Sequence, residues 1–190
     1  MPKIILASAS PRRRELLEQI HVSHIVHIAD IDETPLVNES PESYVTRLAE
    51  QKAAACIQKF SSQLPVLAAD TVVVLEGTIM GKPNDKEDAL AMLRELSGKT
   101  HHVFTAIALK GKKAHSALSV TQVTFRVLLE DEIQAYCNSN EPLDKAGSYA
   151  IQGQGSLFIE RIHGSFSGVM GLPLFETGQL LRLEGIELLA

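Results

Sequence analysis

The sequence predicts an α/β fold with a mixed, twisted sheet. Short apolar runs such as KIILAS and PVLAADTVVVL alternate with stretches of helical period, the longest being PESYVTRLAEQKAAACIQKF. A pair of strand-like runs flanks the turn KGKK, which adds an antiparallel hairpin to that alternation. No internal repeat or low-complexity linker divides the chain. KIILAS is the first buried strand, and it feeds a helix from Pro11 to about Ile20 with Ser10 as N-cap. HIVHIA (24–29) is a second strand leading into the acidic loop DIDETP. Ser40 caps the helix that starts at Pro41 and ends near Phe60. PVLAADTVVVL is a continuous apolar strand with one acid inside it. NDKEDALAMLRELSG is a helix with Asn84 as N-cap and Gly98 as its stop. The hairpin covers 101–128, a short helix surrounds DEIQAYC, and a last helix runs from about Phe175 to Leu183.

The 190 residues suffice for one domain spanning 1–190, either a single compact core or two lobes. No apolar run approaches the roughly 20 residues of a membrane span, so no membrane partner is expected. With only Cys56 and Cys137, neither a disulfide framework nor a zinc site is expected, and a cytoplasmic setting follows. Net charge is −5, with basic residues interspersed among acidic ones. That argues against a nucleic-acid partner and leaves room for a local anion site.

Residues that break local rules point to chemistry. Arg12, Arg13 and Arg14 crowd a helix start, where the macrodipole disfavours cations. Lys52 falls on the apolar stripe formed by Val45, Leu48, Ala49, Ala53 and Cys56. Its stem either packs while the amine reaches water, or the amine serves a site. Asp70 sits inside an apolar strand, where an unpaired carboxylate is costly. It is therefore paired, metal-bound, at a cleft, or capping a loop. Glu33 belongs to the acidic loop, and Lys82 to the turn GKPND. The segment DKAGSYAIQGQGSLF is rich in small residues but matches no phosphate-loop pattern. His21, His24 and His27 form no metal motif. Cations for an anionic group, with Glu33 and Asp70 as oxygen donors to a hard divalent metal, are the inventory of phosphoryl or nucleotidyl transfer.

LASASPRR, DET followed by YVTRLAEQKA, AADTVV, GKP, LSGKTHHVFT, EPLDKAGSYAIQG and GSFSGVMGLP occur in order across nearly the whole chain. Together they resemble the Maf family of nucleotide pyrophosphatases. The resemblance implies a two-lobed fold related to the inosine triphosphatases, a cleft between the lobes as active site, and a homodimer. It implies hydrolysis of a nucleoside triphosphate to the monophosphate and pyrophosphate, with a divalent cation, Mg²⁺ or Mn²⁺, as cofactor. Asp70 matches the family's proton acceptor, Glu33 a second carboxylate that orients metal together with Asp70, and Lys52 and Lys82 catalytic cations. Asp70 either deprotonates water directly or delivers water held by the metal. Ser8 and Arg13 match phosphate-binding positions.

The sequence looks like the branch acting on dTTP and UTP, whose specificity positions correspond to Arg12, Thr71 and Gln152. Ser148, Ala150 and Phe166 depart from the family's commoner residues, and Ala150 narrows the base side of the implied site. An alternative implied role is a nucleotide-binding regulator that arrests septum formation. Successive helical residues point about 100° apart. The three arginines therefore divide into Arg13 for phosphate, Arg12 for specificity and Arg14 for solvent.

Overall fold

The computed structural model describes residues 1, 3–28, 30–60 and 63–189. Strand β1 (Ile4–Leu6) precedes helix α1 (Pro11–Gln19) and strand β2 (His24–Val26). Helix α2 (Pro41–Phe60), strand β3 (Val66–Leu75), strand β4 (Thr78–Met80) and helix α3 (Lys86–Leu96) follow. The hairpin strands are β5 (Thr100–Lys110) and β6 (Ala114–Phe125), after which comes helix α4 (Glu130–Asn138). Three 3₁₀ segments (Glu141–Asp144, Ala146–Ser148 and Gln154–Phe158) lead to strand β7 (Ile159–His163) and helices α5 (Phe166–Met170) and α6 (Leu174–Leu183).

The sheet is mixed, as expected. Its strand order is β2-β1-β3-β5-β6-β7, with β4 paired to β3 off that path. β1 runs parallel to both β2 and β3, while β3–β4 and β6–β7 are antiparallel. Contacts divide the chain into two compact units: Met1–Asp70 with Thr105–Ser119 and Gly171–Ala190, and Thr71–Phe104 with Val120–Met170. In the first, Ile4, Ile5, Leu6, Leu48, Ala49, Ala53, Cys56 and Leu67 are fully buried. The helical stripe of α2 therefore lies in the apolar interior, as its spacing requires. In the second, Leu90, Leu93 and Leu96 of α3 pack with Phe125, Tyr136, Tyr149 and Phe158. Those four aromatics meet edge to face, at 4.8 Å for Phe125–Tyr149 and 4.9 Å for Tyr136–Phe158. Among the described residues, no helix is long and apolar enough to cross a membrane.

Several local expectations need correction. Strand β2 ends at Val26, so it is half the length read from HIVHIA. Ala29, the last residue of that reading, lies outside the described residues. The N-cap of α3 is Asp85, whose carboxylate accepts the Asp88 N–H at 2.9 Å. Asn84 instead donates both its backbone and side-chain N–H to Asp88. Both are good capping types, and only the backbone turn chooses between them. Ser10 does occupy the N-cap position of α1, but its hydroxyl makes no capping bond. Its backbone N–H is donated to the Ser8 hydroxyl at 3.2 Å. Strand β4 was not foreseen. It returns from β3 through Glu76 and Gly77, both at positive φ, the conformation of a two-residue hairpin turn. Strand β7 and helix α5, five residues each, were also not foreseen.

Candidate active site

The first unit gathers five of the residues singled out above. β3 carries Asp70 as a buried residue, 7% exposed. α2 presents Lys52 to it, with Nζ 2.6 Å from Asp70 Oδ1 and 2.9 Å from Glu33 Oε1. The amine on the apolar stripe is thus neither lost to water nor idle. It is the shared counter-ion of the acid in β3 and an acid from the loop after β2. Asp70 escapes the cost of isolation through this pairing.

Glu33 lies in a loop without regular structure, yet α2 holds that loop down. Tyr44 donates its hydroxyl to the Glu33 carbonyl at 2.8 Å. Arg47 donates to the Thr34 carbonyl and grips the Glu39 carboxylate through two nitrogens, at 2.6 and 2.7 Å. Asp32 accepts the Thr34 N–H at 2.9 Å, closing a local turn. Hydrogen bonding from the Thr34 side chain, and then from its N–H, holds the Asp32 carboxyl below its usual range. Burial, helped by the charges of Asp70 and Glu33, pushes the Tyr44 phenol up. Tyr44 consequently stays a hydrogen-bond donor beside two carboxylates.

α1 supplies Arg13, fixed on three acceptors: Nε donates to the Gly171 carbonyl at 2.7 Å, and Nη1 to the Ala69 carbonyl at 2.8 Å and the Ser8 hydroxyl at 3.2 Å. Ala69 immediately precedes Asp70 in β3, so the guanidinium is anchored on the strand that carries the acid. Burial lowers the Arg13 pKa, the Asp70 charge opposes that, and neighbouring Arg12 adds to it. Even so, an arginine remains cationic at any physiological pH. Ser8 is buried, and its oxygen receives both the Arg13 guanidinium and the Ser10 N–H. Arg14 is exposed, as the angular argument for the three arginines requires.

Arg12 is half-buried in α1 of the same unit, while Thr71, Lys82 and Gln152 belong to the second. Thr71 follows Asp70 directly in β3 and is half-buried. Lys82 is exposed in the turn between β4 and α3. The preceding Gly81 offers its carbonyl to the Gly147 N–H at 3.0 Å. Gln152 is exposed between buried Ile151 and the 3₁₀ turn starting at Gln154. No group of three or more His, Cys, Asp or Glu side chains placed to hold a metal occurs among the described residues.

A family model described as Maf-like protein matches residues 3–184. The chain belongs to this family. A dTTP/UTP pyrophosphatase of Myxococcus xanthus is 51% identical over 185 residues, covering 97% of this chain and 94% of the relative. The dTTP/UTP pyrophosphatase of Aromatoleum aromaticum is 52% identical, covering 98% and 97%. That of Escherichia coli is 50% identical, covering 95% and 92%. Among solved structures, a HAM1 protein from Coxiella burnetii aligns over 66% of this chain and 73% of that one, with a TM-score of 0.48 and 20% identity.

Reading the sequence alone missed the supports of this Maf-family site. Tyr44 and Arg47 pin the acidic loop, and the carbonyls of Ala69 and Gly171 seat Arg13. Arg47 and Tyr44 had a detectable signal, since both lie within a turn or two of Lys52 on one helix. A carbonyl acceptor has none, because every residue carries one.

Proposed function

We propose that this chain hydrolyses dTTP and UTP to the nucleoside monophosphate and pyrophosphate. The observation that carries the reading is the Lys52 ammonium held between Asp70 and Glu33, beside the anchored Arg13. It is supported by the roughly 50% identical relatives named for that activity. In the proposed reaction a water oxygen attacks the α-phosphorus, the bond from that phosphorus to the bridging oxygen breaks, and pyrophosphate leaves. Asp70 takes the water proton. Lys52, 2.6 Å away, orients the Asp70 carboxylate, so the acceptor is in place before substrate arrives. Arg13 and Ser8 bind phosphate oxygens, and because their anchors are already formed they need little reorganisation as charge develops. The roles of Lys82 on the phosphates and of Arg12, Thr71 and Gln152 in choosing the base rest on the family resemblance. Gln152 has the chemistry for it: one amide donor and one carbonyl acceptor match the edge of uracil or thymine.

Glu33 and Asp70 suit Mg²⁺ or Mn²⁺, because a hard cation on a nucleotide takes one or two carboxylates and fills its shell with phosphate oxygens and water. Such an ion, when bound, supplies positive charge to the triphosphate. Product analysis tests the reading. With Mg²⁺ or Mn²⁺ present, UTP and dTTP should give the monophosphate and pyrophosphate in equal amounts. Release of inorganic phosphate and a nucleoside diphosphate would place cleavage at the γ-phosphorus and remove the proposed mechanism. Gln152→Ala should erode the preference among bases more than it slows turnover of all nucleotides alike.

A further inference from the structure

Resting on the reading that Gln152 meets the base, we propose that Glu141 and Tyr136 are the positioning residues that hold the Gln152 loop in its base-reading shape. The Glu141 carboxylate collects three donors. Oε1 accepts the Tyr136 hydroxyl at 2.8 Å and the Gly155 N–H at 3.2 Å, and Oε2 accepts the Gln154 N–H at 3.2 Å. The Tyr136 oxygen in turn accepts the Ala150 N–H at 3.0 Å. The backbone is thereby tied down two residues before Gln152 and two and three residues after it. A turn bond from the Gly153 N–H to the Ala150 carbonyl, at 3.2 Å, closes the loop on itself.

The loop glycines follow from this arrangement. A side chain at Gly153 would collide with the Glu141 carboxylate, and a Cβ at Gly155 would sit 2.8 Å from the Tyr136 hydroxyl and 2.9 Å from the Ala150 carbonyl. The small residues of QGQG let the chain press onto a carboxylate–phenol pair. The anchor itself is stiff: Tyr136 is 3% exposed in α4, and its ring meets Phe158 edge-on at 4.9 Å. Burial, reinforced by Glu141, pushes the phenol pKa up, so Tyr136 always presents its proton to the carboxylate. Gln152 is exposed within this loop, as is Gln154, whose N–H is one of the tethers.

UTP and CTP share sugar and triphosphate and differ on one edge, where uracil has an N–H donor and a carbonyl and cytosine has an acceptor and an amine. The readout is kcat/KM for each, in the full-length protein, with Tyr136→Phe, Glu141→Gln, Gln152→Ala and the Tyr136→Phe/Gln152→Ala pair. In the two single positioning variants the UTP-over-CTP ratio should fall about tenfold or more, because small displacements of a positioned group carry large costs. CTP turnover should stay within about twofold of wild type. In the double variant Tyr136→Phe should add nothing to the loss caused by Gln152→Ala, the signature of coupled residues. Equal loss for UTP and CTP, an unchanged ratio in both variants, additive losses in the pair, or failure of both variants to unfold cooperatively would overturn the proposal. A wild-type protein that turns over UTP and CTP equally would instead remove the underlying reading of Gln152.

Discussion

Acidification should destabilise the chain through His101, the second residue of β5. The imidazole is fully buried, with Nε2 on the Tyr149 hydroxyl at 2.8 Å and Nδ1 lacking a hydrogen-bond partner. Phe125 and Tyr149 pack against it in T-shaped pairs, ring centroids 5.0 and 5.4 Å apart. Burial, with a smaller contribution from His102, pushes its pKa down from 6.5 to about 4. A depressed histidine pKa means the unfolded chain binds the proton that the folded chain refuses. Stability is therefore full above the unfolded pKa near 6.5, falls as pH drops toward about 4, and takes no further loss from this residue below that. A depression of that size corresponds to about 3 kcal/mol, a large share of the roughly 5–15 kcal/mol that holds a typical domain folded. Urea unfolding from about pH 7.5 to about pH 4 measures it, with His101→Gln as the non-titrating control. The wild-type unfolding free energy should fall with pH more steeply than the control's, the difference between them changing by about 3 kcal/mol across that range. Parallel curves would refute the account and assign the acid sensitivity to other groups.

Three further outcomes are expected. Asp70→Asn keeps the shape of the site but cannot take a proton, so pyrophosphate release from UTP should fall about 10²–10⁴-fold while cooperative unfolding persists. Lys52→Met leaves Asp70 buried without the ammonium at 2.6 Å, and chemical denaturation should show a loss of about 2–4 kcal/mol together with loss of turnover. Gly147→Ala places a Cβ 2.8 Å from Val73 Cγ2 at a φ of +68°, and thermal unfolding should register roughly 2–3 kcal/mol of destabilisation.

The parts of the fold that the sequence revealed are those whose signal is periodic. The α2 stripe and the continuous apolar run of β3 each bury the residues their spacing requires. Asp70 and Lys52 were conspicuous because each violates such a pattern, and the structure shows the two violations cancelling each other at 2.6 Å. Short elements escaped detection for want of length. β4 has three residues and α5 five, too few for either period to declare itself. The partners of Arg13 escaped for a different reason: Gly171 lies 158 residues away and contributes only a carbonyl. Glu141 was equally silent, an ordinary acid after a helix whose work is done on backbone N–H groups of a distant turn.

Glu33 is gripped at its backbone by Tyr44 and at its carboxylate by Lys52, two residues of one helix eight positions apart. Such a grip depends on reading frame within α2 as much as on residue identity. A single alanine inserted between Tyr44 and Lys52 would preserve composition, charge and helical propensity. It would nonetheless rotate one gripping residue about 100° against the other. The segment between them should therefore accept substitution at its exposed positions, Glu50 and Gln51, but no change of length.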